Sequence, residues 1–269
     1  MIMTRSKTRK MKEDRLSGLP DEILLIIMSF IMIKDAVQTC ILSKRWRNLW
    51  KFLPNLTLRS YHFKKHRAFY EFVSRIVSCS DQNHTLHSLD FYRPIYCKPK
   101  IMTNLMTYAV CHNIQHLKVN VPYNFSLPAC VFSCPSLTSL SVSISHNVLK
   151  RTRIPKSLQL PALLSLHLHN VPISADENGH AEPFSNCKKL NSLYIDDCVL
   201  LPPDAFVGSE VLYIRNTSLA NLTMNFGYTR RFTTVISTPN LSSFTWDDPY
   251  WTLRGQIEVN VEVRSSSLN

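Results

Sequence analysis

The chain has 269 residues, a net charge of +12, 45% hydrophobic residues and 19% charged ones. That profile belongs to a globular protein, not a disordered one. Only five glycines occur, at Gly18, Gly179, Gly208, Gly227 and Gly255, too far apart to build a phosphate-cradling loop. The charge is uneven: residues 1–70 hold 15 Lys and Arg against 5 Asp and Glu, and the remainder 16 against 14. An acidic protein partner, nucleic acid or nuclear import could each use that basic quarter. The eight cysteines are scattered through the chain, and are expected to be reduced, mostly buried thiols.

The first 15 residues, MIMTRSKTRKMKEDR, have no apolar period and are expected to be disordered. In LSGLPDEILLIIMSFI, Pro20 suits a helix start and Asp21 and Glu22 favour the positive end of the helix dipole. Leu24, Ile27, Met28 and Ile31 then form one stripe and Ile23, Ile26 and Phe30 a second. A helix apolar on nearly all sides must be covered on more than one of them. The run from Ile23 to Ile33 is about half the ~20 residues a spanning helix needs, and its acidic start suits no signal peptide, so the chain is expected to be intracellular. A second helix is expected from about Asp35, as N-cap, through Leu42, and a third after Ser43, with Trp46, Leu49 and Trp50 on one face.

Residues 66–79 and 101–112 read as amphipathic helices, with stripes of Phe69, Phe72, Val73, Ile76 and Val77, and of Met102, Leu105, Met106, Ala109 and Val110. Around them the unit L-x-x-L-x-L recurs: Leu86/Leu89/Phe91, Ile114/Leu117/Val119, Leu137/Leu140/Val142, Leu163/Leu166/Leu168 and Leu190/Leu193/Ile195. Weaker copies follow at Leu212/Ile214 and Leu241/Phe244/Trp246. Asn170, Asp197 and Asn216 share one position just after a strand, where a side-chain amide or carboxylate can bond the turning backbone. This is a leucine-rich-repeat pattern, in which no unit buries its own apolar side and stacking is required. Residues between the leucines face outward, namely Asp90, Lys118, Ser141, His167, Tyr194, Tyr213 and Thr245. Ile257, Val259, Val261 and Val263 alternate strictly, as a half-buried terminal strand would.

No residue set suits catalysis or a metal. Cys130 and Cys134 lack a second pair at zinc spacing. His112 and His116 do not share a helix face, and His167 and His169 would supply two ligands at most. No nucleophile elbow or His-Glu-x-x-His occurs.

LPDEILLIIMSF, then KDAVQTCILSKRWRNLW, then LPNLTL resembles the F-box of plant F-box/leucine-rich-repeat proteins, over about Leu16 to Leu58. One departure is Ile31-Met32, where that family usually has Leu-Pro. The resemblance implies an α+β or α/β solenoid: a small N-terminal three-helix F-box, then a leucine-rich-repeat horseshoe with a parallel sheet on its concave face. The expected divisions are a basic tail at 1–15, the F-box at 16–58, a linking strand and amphipathic helix at 59–85, repeats at 86–250, and a terminal strand and tail at 251–269. The resemblance further implies docking on the Skp adaptor of an SCF-type cullin-RING E3 ubiquitin ligase, in the cytoplasm and/or nucleus. Leu19, Pro20, Ile23, Leu24, Ile27, Leu42, Ser43, Trp46, Leu49 and Trp50 are the expected adaptor contacts. Asp90, Lys118, His167, Tyr194 and Tyr213 are the expected contacts to a target protein. The subunit would be non-catalytic, with no cofactor, no membrane association and no nucleic-acid partner. The alternative is a binding scaffold that titrates the adaptor without delivering a target.

Overall fold

The computed structural model describes residues 16, 18–79, 85–122, 126–145, 153–203, 209–225 and 232–247, with the backbone of 257–259. The expected basic tail and terminal tail lie outside these residues. The chain divides into two units, Met1–Leu53 and Pro54–Asn269.

In the first unit Pro20 stands as the N-cap of α1 (Asp21–Ser29), one residue ahead of the first turn, and its carbonyl accepts from Leu24 N at 3.1 Å. Helix α2 (Ile33–Gln38) starts two residues before Asp35, so Asp35 lies in the first turn and does not cap it. The chain tightens into a 3-10 turn at Thr39–Ile41, where the Thr39 hydroxyl donates to Ala36 O. Helix α3 (Trp46–Leu49) follows, with Arg45 in place of Ser43 at its N-cap. Leu24, Met28, Ile33, Ala36, Trp46 and Leu49 are buried, and α1 packs on both α2 and α3.

The second unit is built on an eight-stranded, wholly parallel sheet. Its strands are β1 (Asn55–Arg59), β2 (Ser88–Tyr92), β3 (His116–Pro122), β4 (Ser139–Ser145), β5 (Ser165–His169), β8 (Ser192–Asp196), β11 (Asn221–Asn225) and β13 (Ser243–Asp247), in that order. A carbonyl just before each strand accepts the N–H at the start of the next: Pro54 O from Ser88 N, His87 O from His116 N, and so on to Ala220 O from Ser243 N. The repeat leucines fall in register (Leu56, Leu89, Leu117, Leu140, Leu166, Leu193, Leu222), and all are buried. With β-period two, every second residue then faces outward.

Return segments differ along the chain. After β1 and β2 they are helices, α4 (His66–Ser78) and α5 (Pro99–Cys111), packed on each other. Phe69, Tyr70, Val73 and Ile76 are the buried residues of α4, with Phe72 and Val77 half-buried. Met102, Leu105, Met106 and Ala109 are those of α5. From β5 onward the return segments carry short strands. The pair β6 (Pro172–Ser174) and β9 (Val199–Leu201) forms one small sheet. A second sheet runs β14 (Ile257–Val259), β12 (Phe232–Ser237), β10 (Glu210–Arg215), β7 (His180–Ala181).

Two expectations change here. LPNLTL is a repeat strand: β1 pairs with β2 over five residues, and Leu56 and Leu58 are buried. The compact units part at Leu53/Pro54, so the last residues of the expected F-box stretch pack with the repeats. The Leu212/Ile214 copy belongs to β10 of the second sheet; the copy that continues the large sheet is Leu219/Leu222/Met224. Only Ile257–Val259 of the expected terminal strand is described, parallel to β12, and Val261 and Val263 lie outside the described residues.

The post-strand polar residues divide their labour. Asn170 and Asp197 take positive φ (56° and 49°), a conformation Asn and Asp tolerate better than most residues. Asn170 Nδ2 reaches back to Ile144 O at 2.9 Å. Asn216 is buried: its amide donates to Phe184 O and Cys187 O, and its Oδ1 accepts from Ser218 N.

One buried cation went unforeseen. Arg93 is 2% exposed. Its Nε donates to Tyr70 Oη (2.9 Å) and Tyr96 O (2.8 Å), and its guanidinium lies 4.9 Å from the Tyr70 ring centroid. These acceptors and the ring face offset the cost of burying the charge.

Candidate interaction surfaces

In the first unit Leu24 and Met28 turn inward, whereas Ile27 and Ile31, expected on the same stripe, stay open together with the second stripe of α1. Ile23 is 42% exposed, Ile27 38% and Phe30 84%, with Ile26 exposed between them. Their spacing of three and four residues places them on one helical face. Ile31 and Met32, just beyond α1, and Ile41 and Leu42, after α2, are exposed as well. The expected adaptor contacts therefore separate. Pro20, Ile23, Ile27 and Leu42 are exposed, and Leu19 and Ser43 are half-buried. Leu24, Trp46, Leu49 and Trp50 are buried, and serve to hold the unit together instead of being offered to a partner. The sequence places two apolar stripes on α1 without telling which one the neighbouring helices cover. Phe30, Ile31 and Ile41, outside the expected set, belong to the open surface. An Asp21–Arg45 pair (Nε to Oδ1, 2.6 Å) ties the start of α1 to the N-cap of α3. Both side chains are well exposed, so it contributes little stability.

In the second unit the outward face of the large sheet carries three long rows, the first running from Asn55 through Ser88 and His116 to Ser243. The central one reads Thr57, Asp90, Lys118, Ser141, His167, Tyr194, Thr223, Thr245. Tyr213 is absent from it. It lies on β10 in the second sheet, edge-on to His180 with Arg215 4.2 Å from its ring centroid. The neighbour of Tyr194 is Thr223. The reason is local: LYIRNTSL copies the strand-and-turn pattern, but its strand forms in a return segment.

The third row, two residues further along each strand, reads Arg59, Tyr92, Asn120, Ser143, His169, Asp196, Asn225, Asp247. It was missed because the strands run past the last repeat leucine, a continuation the alternation predicts. The central and third rows are tied together in two places. His167 stacks on Tyr194 (5.2 Å, 20°), Asn225 Nδ2 donates to Tyr194 Oη at 2.9 Å, and His169 Nδ1 lies 2.6 Å from Asp196 Oδ2. Desolvation, and after it the Asp196 charge, raises the Tyr194 phenol above its ordinary range. At the other end Arg59 binds Asp90 (2.8 Å) and donates to Tyr61 Oη (3.0 Å), and these bonds, Tyr61 first, push its pKa up. His167 and His169 thus engage different partners, and among the described residues no three His, Cys, Asp or Glu gather as a metal site would need. Among the same residues no helix is long and apolar enough to cross a membrane.

Two family profiles match the chain: "F-box domain" over residues 16–58, and "FBD-associated F-box protein At5g56370, LRR repeats" over residues 104–267. The chain belongs to the F-box/leucine-rich-repeat family. It is similar to the Arabidopsis thaliana F-box/FBD/LRR-repeat protein At4g26340, 32% identical over 256 residues, or 91% of this chain and 57% of that one. The FBD-associated F-box protein At4g10400 of the same plant is 31% identical over 242 residues, 86% of this chain and 55% of its own. The F-box protein At1g60400 is 31% identical over 191 residues, covering 65% and 44%. The chain spans about half the length of these curated relatives. No solved structure matches it. In family terms, then, this is an F-box and a leucine-rich-repeat domain with a parallel sheet, and the open face of α1 and the outward sheet rows are surfaces of those two domains.

Proposed function

We propose that this chain is the substrate-recognition subunit of an SCF-type cullin-RING E3 ubiquitin ligase. An F-box paired with leucine-rich repeats is the domain combination of F-box proteins in such ligases. The F-box docks on a Skp-type adaptor, and through it a cullin, by the open face of α1 with Leu19, Pro20 and Leu42. The large sheet lines the concave side of a horseshoe, and its outward rows, with Asp90, Lys118, His167 and Tyr194, bind the target protein. The subunit itself performs no chemistry; it raises the local concentration of target lysines beside the charged ubiquitin carrier.

The observation that supports this reading most is the apolar face of α1, in a segment that matches the F-box profile. A cluster of exposed large hydrophobics is what an interface core leaves when its partner is absent. Co-expression with a Skp-type adaptor tests it. The chain is expected to aggregate alone and to elute with the adaptor as a soluble complex; a soluble monomer that ignores the adaptor would overturn the assignment. Ubiquitin transfer to a protein captured by the repeats separates ligase subunit from adaptor-titrating scaffold.

A further inference from the structure

The outward face of β1–β4 encloses a pocket of about 480 Å³, walled by Arg59, Tyr61, Asp90, Tyr92, Lys118 and Asn120 with Ser141 and Ser143. We propose that this pocket receives an acidic side chain, Asp or Glu, of the target peptide. The proposal rests on the reading of the sheet face as the target surface, and adds where on it recognition is centred and what chemistry is read.

Four oxygens of the pocket each accept one bond from within it or beside it. Asp90 Oδ2 is bound by Arg59, Asn120 Oδ1 accepts from Ser145 Oγ (3.0 Å), Tyr61 Oη accepts from Arg59, and Ser143 Oγ accepts from Asn120 Nδ2 (3.2 Å). The hydroxyl hydrogens of Tyr61 and Ser143 are not used in those bonds, and each can be donated into the pocket. Lys118 stands exposed at the centre, beside Asp90 in register, without a hydrogen bond or ion pair among the described residues. Asp90 leans to Arg59 and leaves the ammonium unmatched. The charges of Arg59, Asp90 and Lys118 sum to one positive. A net positive site with unspent donors on Lys118, Tyr61 and Ser143 favours an anionic oxygen group over a cation. Tyr61 and Tyr92, packed edge-to-face at 5.8 Å, add flat apolar walls for the methylene stem of the acid.

The test uses the full chain, co-purified with the adaptor, and fluorescein-labelled hexaglutamate as probe, read by anisotropy. Lys118→Gln is expected to weaken binding about fivefold, the size of one partly exposed ion pair. Lys188→Gln, the same charge change on an exposed lysine outside this pocket, is expected to leave it unchanged. Asp90→Asn is expected to tighten it, because the neutral amide no longer offsets the positive charge of Arg59. Equal losses from Lys118→Gln and Lys188→Gln would show attraction to net charge alone and overturn the pocket. Loss of probe binding only on deletion of residues 1–14 would move acid recognition to the basic tail and overturn it as well. If a His167→Ala, Tyr194→Ala variant loses a captured target while Lys118→Gln leaves hexaglutamate binding unaltered, the sheet face stands as target surface and the acid pocket falls.

Discussion

Replacing Ile27 and Phe30 together by Ala separates interface from core on a single helix. Full burial of a large aliphatic or aromatic side chain contributes roughly 1.5–3 kcal/mol. Ile27 is 38% and Phe30 84% exposed, so a partner that covers what remains open gains about 0.6–1 kcal/mol from the first and about 1.3–2.5 kcal/mol from the second. The double variant should lose about 2–3.5 kcal/mol of adaptor affinity, roughly 30- to 400-fold in Kd. Phe30 already faces solvent and only the covered part of Ile27 supports the fold, so stability should fall modestly, by about 1–2 kcal/mol, and the melting temperature with it. Leu24→Ala, one residue from the open stripe and fully buried, is the contrast. It should cost about 2–5 kcal/mol of stability through the cavity it leaves. Calorimetric titration of purified adaptor into each variant, beside thermal melts, gives both numbers. Undiminished affinity in the Ile27→Ala, Phe30→Ala variant, or its unfolding, would refute the division of α1 into a core stripe and a docking stripe.

On the sheet, a His167→Ala, Tyr194→Ala variant should lose captured target and keep the adaptor, whereas Tyr213→Ala, on the other sheet, should keep both; co-precipitation reads the difference. A fragment 54–269 should be markedly more stable than 59–269, because the shorter one forfeits the burial of Leu56 and Leu58, about 3–6 kcal/mol, which denaturant melts would resolve. Burial pushes the thiols of Cys97 and Cys198 up to about 12 from 9.0, so at pH 8 maleimide should label exposed Cys79 and Cys111 and spare these two until the chain unfolds. Their linkage has a definite sign: between about pH 9 and 12 the unfolded chain releases those protons while the folded chain retains them. Their contribution to stability therefore falls as pH rises, and urea midpoints at pH 8.5 and 10.5 should show it.

The repeat architecture was legible because one physical rule, a leucine pattern that only stacking can bury, leaves its mark at every coil. It failed at its edges for identifiable reasons. LPNLTL closes the stretch that matches the F-box profile and also forms a repeat strand, with Leu56 paired to Leu89. Met224 fills a leucine position, so a search restricted to Leu, Ile, Val and Phe passes over LANLTMN and settles on LYIRNTSL, which forms β10. On the first unit the sequence marks α1 as too apolar for one neighbour. It does not say which stripe α2 and α3 will cover, since Ile27 and Met28 are equally suited to a core. Arg93 was invisible because its compensation comes from Tyr70 on α4 and from the backbone carbonyl of Tyr96, contacts set by tertiary packing.

On the proposed function one chain bridges an adaptor and a target through two separate surfaces. Quantitative affinity capture of three forms of the 269-residue chain separates them: wild type, Ile27→Ala with Phe30→Ala, and His167→Ala with Tyr194→Ala. Adaptor and cullin should disappear together from the first variant and persist in the second, while a different protein should disappear from the second and persist in the first. Adaptor and cullin retained by the Ile27→Ala, Phe30→Ala form, or the same proteins lost from both variants, would contradict that function.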